Sequence, residues 1–582
     1  MKLIKLSIFI LLLSFMSCES LLEPEDDNHS TFDRVLNDPQ FGEGLLLSAY
    51  VRVPTKALTF NDVATDDAVS NDRLNQYMRM ATGEWSALYN PVSQWENSNM
   101  AILYLNKFLD IVEDVEWKWT NSEANTLFAK RFTGEAYALR GFFKYHLLQT
   151  VGGIGENNEY LGIPVYNDFI EQDADFNVPR ASFEESIQEI YNDFDLALEY
   201  LTMDDYKRVT DVSQLPQGYT DVSIESYNQV FDERASQRIS GRIVKALRAR
   251  VALLAASPAF NEGDVSKWEQ AANFAGTALT LNGGVTLDPN GHVFYRGDLV
   301  DAANVTSSGD QREMIWRTAR ASNNTRERDN YPPSLFGNGR VNPTQNLIDA
   351  FPMANGLPID HPDSGYDEEN PYANRDPRLS LYVVYNGNVL AGQTINTARG
   401  GGIDRKDSIS TSTRTGYYMK KLIREDVSLN PSSTTSRNHF DVNMRYTELF
   451  LIYAEAANEA WGPDGTGSFG FSARDVIGDI RARAGIEQPD VYLASVSTAE
   501  EMRELIRNER RLELCFEGHR FWDIRRWKMD LTEPAMGIEI NGDQISIVGV
   551  ENRAYDNSYM HYGPVPEREV DKFDALIQNK GW

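Results

Sequence analysis

Glu509, Glu513 and Glu517 recur every fourth residue, so on a helix they would line successive turns of one face. Two carboxylates placed in that way could form the acid/base pair that glycoside cleavage requires. The same stretch, residues 507–526, carries six Arg and four acids. Guanidiniums at that density lower carboxylate pKa values and keep both members of a pair ionised, the wrong state for a general acid. The segment therefore reads as a structural charge network, and no catalytic residue is assigned. Gly465-Thr466-Gly467-Ser468-Phe469-Gly470 fits G-x-G-x-x-G, but a dinucleotide site needs a preceding strand and a helical pattern stands there instead, so this is a hairpin loop. The seven His show no H-E-x-x-H or other ligand spacing, and no G-x-S-x-G elbow occurs. No metal and no cofactor is expected, although carboxylates far apart in sequence could still meet in a fold.

The elements that would hold such residues are mostly helices. Phe132, Ala136, Leu139, Phe143 and Leu147 recur at helical spacing over 131–149, as do Phe183, Ile187, Ile190, Phe194 and Leu198 over 182–201. Residues 239–256 are alanine-rich, and Ala246, Ala249, Ala252 and Ala256 would let a neighbour approach closely. A partner helix follows over 266–281. A similar hairpin recurs at 446–460 and 471–485 across a Gly/Pro-rich loop, 462–470. Both hairpins look like diverged tetratricopeptide units, too far apart for a regular solenoid. Residues 284–440 differ: helical periodicity is weak, turn formers are frequent, and short β-like runs appear at 381–385 and 417–422. Trp316 reads as part of a strand and Trp95 as the start of a packed helix. So long a loop-rich stretch on a helical frame is where binding usually resides.

Formal net charge is -30 over 582 residues, which repels nucleic-acid phosphates and excludes them as ligands. Lys2 and Lys5 precede an apolar run, Leu6 to Met16, too short to span a bilayer but suited to an export signal. That run ends Ser17-Cys18, which resembles a bacterial lipobox, so Cys18 is expected to carry lipid. Residues 19–28 are polar and acidic, as a tether would be. The only other cysteine, Cys515, reads as a small buried hydrophobe within a helical stretch.

Residues 506–527 contain Glu509, Arg510, Arg511, Glu513, Phe516, Glu517, Gly518, Arg520, Asp523, Arg526 and Trp527 in an order that resembles the C-terminal signature of the SusD/RagB family. Gly134 to Phe143 with Gly152-Gly153, Asn342 to Phe351, Tyr453 to Glu459 with Ile480 to Gly485, and the ending Gln578-Asn579-Lys580-Gly581-Trp582 resemble further family segments in the same order. The likeness spans nearly the whole chain after Cys18. It implies a mainly α fold: a tetratricopeptide-like helical hairpin scaffold with a long loop-rich, partly β insertion. The implied organisation is a signal peptide over 1–17, a lipidated acidic tether over 18–30, an N-terminal SusD-like helical region over 31–235, and a C-terminal SusD/RagB region over 236–582 that includes the insertion 284–440. The implied role is a surface-exposed lipoprotein of the outer membrane, not an enzyme. It would capture oligosaccharide or polysaccharide and deliver it to a TonB-dependent outer-membrane transporter.

Two segments mix aromatics with Asn, Asp and Arg, as sugar recognition requires: a ring stacks on the C–H face of a pyranose while amides and guanidiniums take the hydroxyls. They are residues 72–95 and residues 326–340. The candidate ligand contacts are Tyr77, Trp85, Tyr331 and Phe336, with Arg73 and Asn338. Three rivals stay open: a peptide or glycopeptide ligand, a surface glycoside hydrolase, and a lid that closes a transporter without binding cargo.

Overall fold

The computed structural model describes residues 36, 38–54, 60–171, 174–303 and 312–582. Cys18 and the signal and tether segments, through residue 30, lie outside the described residues. The apolar periodicities become long helices. These are α1 (Pro39–Tyr50), α2 (Trp95–Ile111), α3 (Ser122–Val151), α4 (Phe183–Tyr200), α5 (Gly241–Ala256), α6 (Ser266–Thr280), α7 (Tyr446–Trp461), α8 (Ala473–Ala484), α9 (Ala499–Leu514) and α10 (Arg520–Arg526). Their starts are chemically marked. Ser182 with Glu185, Ser472 with Asp475 and Thr498 with Glu501 each close a reciprocal capping box, which satisfies two orphan N–H groups per helix.

Neighbours pair as the spacing implies: α3 packs on α4, α5 on α6, and α7 on α6, α8 and α9. Ala246, Ala249, Ala252 and Ala256 are all buried, and α5 touches α4, α6 and α7 through its short side chains. One hydrophobic core runs through these helices. Among the described residues no helix is long and apolar enough to cross a membrane.

A second core is assembled from three distant stretches: residues 63–92, 294–440 and 512–560. Its strands are short and paired in twos. β1 (Ala68–Ser70) pairs antiparallel with β4 (Val341–Pro343), placing Ser70 opposite Val341. β2 (Met314–Arg317) pairs with β8 (Val442–Arg445), and β3 (Ala321–Asn323) with β7 (Arg437–His439). β5 (Val383–Val384) pairs with β6 (Tyr418–Met419), and β9 (Ala535–Asn541) with β10 (Gln544–Glu551). Trp316 is buried in β2 and Trp95 opens α2. The two β-like runs at 381–385 and 417–422 thus meet each other, although the first begins in a helical turn, Pro377–Tyr382.

Candidate functional site

The Glu–Arg stretch is largely buried, and all four of its carboxylates are ion-paired. Glu509 meets Arg378 at 2.9 Å and Arg481 at 2.8 Å. Glu513 meets Arg378 and Arg483, each at 3.1 Å, and Glu517 meets Lys421 at 2.7 Å and Arg445 at 2.8 Å. α9 ends at Leu514, so Glu517 lies beyond the helix, yet it reaches the same network. Burial alone would raise these carboxyls. For Glu513 the guanidiniums of Arg483, Arg378 and Arg445 overcome it and hold the group well below the usual range. For Glu517, burial is overcome by Arg445 and Lys421, leaving it at about 2. Arg510 pairs with Asp523, Arg511 with Asp67, Arg520 with Asp66, and Arg526 with Glu455. The stretch is a clamp that joins the helical scaffold to the second core. Cys515 caps α9 rather than lying within it, and burial pushes its thiol up to about 12. Among the described residues no group of three or more His, Cys, Asp or Glu is placed to hold a metal ion.

The aromatic candidates divide. Trp85 is 5% exposed, and its ring lies against Phe521, Tyr555 and Trp582 with the Arg525 guanidinium over it. Tyr77 is equally buried, which pushes its phenol up to about 12. Tyr331 is 1% exposed and donates its hydroxyl to the carbonyls of Arg424 and Val427 at 2.7 and 3.2 Å. Burial therefore corrects the expectation for these three. All three belong to the second core, and for Trp85 and Tyr331 the covering partners come from chain far away in sequence.

Phe336, Arg73 and Asn338 remain at the surface, and the fold brings their segments together. The β1–β4 ladder sets the loop after Ser70 beside the loop before Val341. Asn71 donates its amide to the Asn338 carbonyl at 2.9 Å and to the Ser412 carbonyl at 3.2 Å. Asp72 lies 3.5 Å from Arg340. A third segment closes the cluster where the Ser334 N–H donates to Asp404 at 2.9 Å.

The loop that displays Phe336 is shaped residue by residue. Pro332 and Pro333 fix φ and lead into a single helical turn, Pro333–Leu335. Phe336 ends that turn at φ 64°, the left-handed region that a bulky side chain avoids. Gly337 follows because a Cβ there would come within 2.2 Å of the Tyr331 carbonyl oxygen. Gly339, at φ 54°, allows the loop to press on the Thr411 carbonyl. The result is a Phe ring 55% exposed, held in a strained backbone position by a rigid frame. Around it, on the same three segments, stand exposed Leu74, Ile403 and Ile409 with exposed Arg73, Arg328 and Arg405, and half-buried Asn338. Leu74, Arg328, Ile403, Arg405 and Ile409 escaped the sequence reading, since nothing in their spacing reveals that they face outward.

Two cavities compete less well. One of about 150 Å³ lies beside Trp522 and His519, but its charges are paired: Arg250 with Glu448, Arg445 with Glu517, and Arg526 with Asp523. A cleft of about 530 Å³ near Trp95 has several of its polar lining groups already engaged. There Asn97 donates to the Arg52 carbonyl, Asn90 accepts from Trp85, and Arg568 pairs with Glu96.

Comparison with known proteins gives a consistent picture. The SusD family profile matches residues 299–582, and a related SusD-like profile, described as "Starch-binding associating with outer membrane", matches residues 23–216. A SusD-like protein of Bacteroides fragilis superposes with a TM-score of 0.71 at 22% identity, covering 95% of this chain and 99% of that one. A SusD-like carbohydrate binding protein of the same species gives 0.68 at 20%, covering 93% and 99%. These two likenesses establish the fold. SusD-like protein P2 of Formosa agariphila is 35% identical over 143 residues, which is 24% of this chain and only 25% of that relative's length.

Proposed function

The chain belongs to the SusD family, and on that footing we propose that it is a cell-surface glycan-binding protein that captures oligosaccharide or polysaccharide without cleaving it. The observation that carries this reading is the outward Phe336 ring, fixed in a strained turn on one of three mutually hydrogen-bonded segments that also carry Asn338 and exposed Arg73, Arg328 and Arg405. Such a ring offers a flat apolar face to the C–H side of a pyranose, and the amide and guanidiniums offer donors to its hydroxyls. Binding without chemistry is favoured because Glu509 and Glu513 are buried in ion pairs, and Glu517, half-buried at the edge of the small cavity, is held ionised by Arg445 and Lys421.

Lipid on Cys18 would tether the protein to the outer membrane with the Phe336 face outward. Bound glycan would then pass to a TonB-dependent transporter beneath it. The outer-membrane description of the matching SusD-like profile supports this placement. Arg73, Asn338 and Phe336 are kept as ligand contacts, and Leu74 and Arg328 join them.

A peptide ligand is the second reading, favoured by the exposed aliphatic side chains of Leu74, Ile403 and Ile409 beside the ring. A glycan-array measurement on the full chain in detergent, with product analysis of every hit, tests the proposal. Glycan bound and recovered intact is the expected result. Shortened products would show an enzyme, and peptides bound in place of every glycan would establish the second reading.

A further inference from the structure

The chain has 86 acids against 56 basic residues, yet the three segments around Phe336 reverse that balance. Residues 71–75, 328–340 and 403–412 carry Arg73, Arg328, Arg340, Arg405 and Lys406 against Asp72, Asp329, Asp404 and Asp407. The acids are already engaged. Asp72 faces Arg340 at 3.5 Å, Asp407 holds Lys406 at 2.6 Å, and Asp404 is buried and accepts the Ser334 N–H. Asp329 is half-buried and lies in the fields of Arg328 and Arg340. The bases are not. Arg73, Arg328 and Arg405 are exposed, and none of them forms an ion pair among the described residues.

On a chain so rich in carboxylates, three neighbouring segments that each leave an exposed guanidinium outside any ion pair, Arg405 donating only to the Ser408 hydroxyl at 3.3 Å, leave positive charge available to a ligand. A guanidinium is a planar fork whose geometry matches a carboxylate or a sulfate ester. A sugar ring stacked on Phe336 projects its substituents sideways, toward the segments that carry these arginines.

Resting on the glycan reading above, we infer that the ligand is an anionic glycan, bearing carboxylate or sulfate groups, and that Arg73, Arg328 and Arg405 select for its charge. The backbone loops supply the platform, Phe336 supplies stacking that is blind to charge, and the arginines supply the discrimination. Attraction between exposed charges is screened by salt, so affinity for the charged polymer falls as ionic strength rises.

The test uses two matched pairs of polymers with the full chain in detergent: polygalacturonate against its fully methyl-esterified form, and carrageenan against chemically desulfated carrageenan. The neutral glycans of the array serve as a third set. The expected result is at least tenfold tighter binding of one charged polymer than of its neutral partner, with the pair that responds distinguishing carboxylate from sulfate. The triple variant Arg73→Gln, Arg328→Gln, Arg405→Gln should erase that ratio while its unfolding midpoint stays at the wild-type value, all three side chains being exposed. Neutral glycans bound as tightly as charged ones, or a charge preference untouched by the triple variant, would overturn the inference and leave the glycan reading standing. If no polymer of either kind binds, the glycan reading falls and takes the inference with it.

Discussion

At the scale of single residues, the proposed ligand face depends on Phe336 occupying a backbone region that costs a bulky side chain on the order of 1 kcal/mol. Tyr331 sustains that position from below, its hydroxyl tied to two carbonyls. A second residue-scale feature is Asp62. Burial, and then the charge of Asp67, raises its carboxyl to about 7; one oxygen accepts the Phe516 N–H while the other has no hydrogen-bond partner. An acid whose folded pKa lies above its unfolded value contributes most at low pH, and that contribution is lost as pH rises from about 4 through 7. Asp62→Asn keeps the accepting oxygen and removes the charge. Its unfolding midpoint should exceed wild type at pH 8, with the difference shrinking steadily as pH is lowered to 4. A difference that is constant across that range would show that Asp62 does not titrate there.

At the scale of elements, α9 and α10 form the clamp that fixes the second core on the helical scaffold. Glu513 sits between Arg378, Arg445 and Arg483 with no exposed surface, so removing its charge leaves three buried guanidiniums short of a counter-ion. Glu513→Gln should lower stability by about 3–5 kcal/mol. Chemical denaturation measures this, and unchanged stability would mean that the network adds nothing to the fold. The long helices of the scaffold, α3 to α8, were legible in sequence because apolar residues at spacings of three and four leave a long, redundant signal, whereas α9 and α10 were marked by their charge pattern. The β1–β4 ladder was not. Three residues carry no readable period, and its partner strand lies some 270 positions away, yet that ladder builds the candidate face. Trp85 misled for a related reason. Its sequence neighbours are polar, but Phe521, Tyr555 and Trp582 arrive from the far end of the chain to bury it. Arg73, Phe336 and Asn338 could be singled out by residue type, whereas Arg328 and Arg405 needed the fold to show their exposure.

At the scale of the whole molecule, a helical frame and a clamp of buried ion pairs support a second core whose loops end in one rigid, partly apolar, positively biased face. Most ion-paired carboxylates of the clamp sit inside and the Phe336 ring sits outside, so the proposed function divides stability from recognition. The most direct test of that division is titration of the array's best glycan into wild type and Phe336→Ala, with the unfolding midpoint of each measured in parallel. Binding by the variant is expected to be at least tenfold weaker, about 1.4 kcal/mol, at an unfolding midpoint no lower than wild type. Equal affinity in the two proteins would contradict that division and move the binding face elsewhere on the molecule.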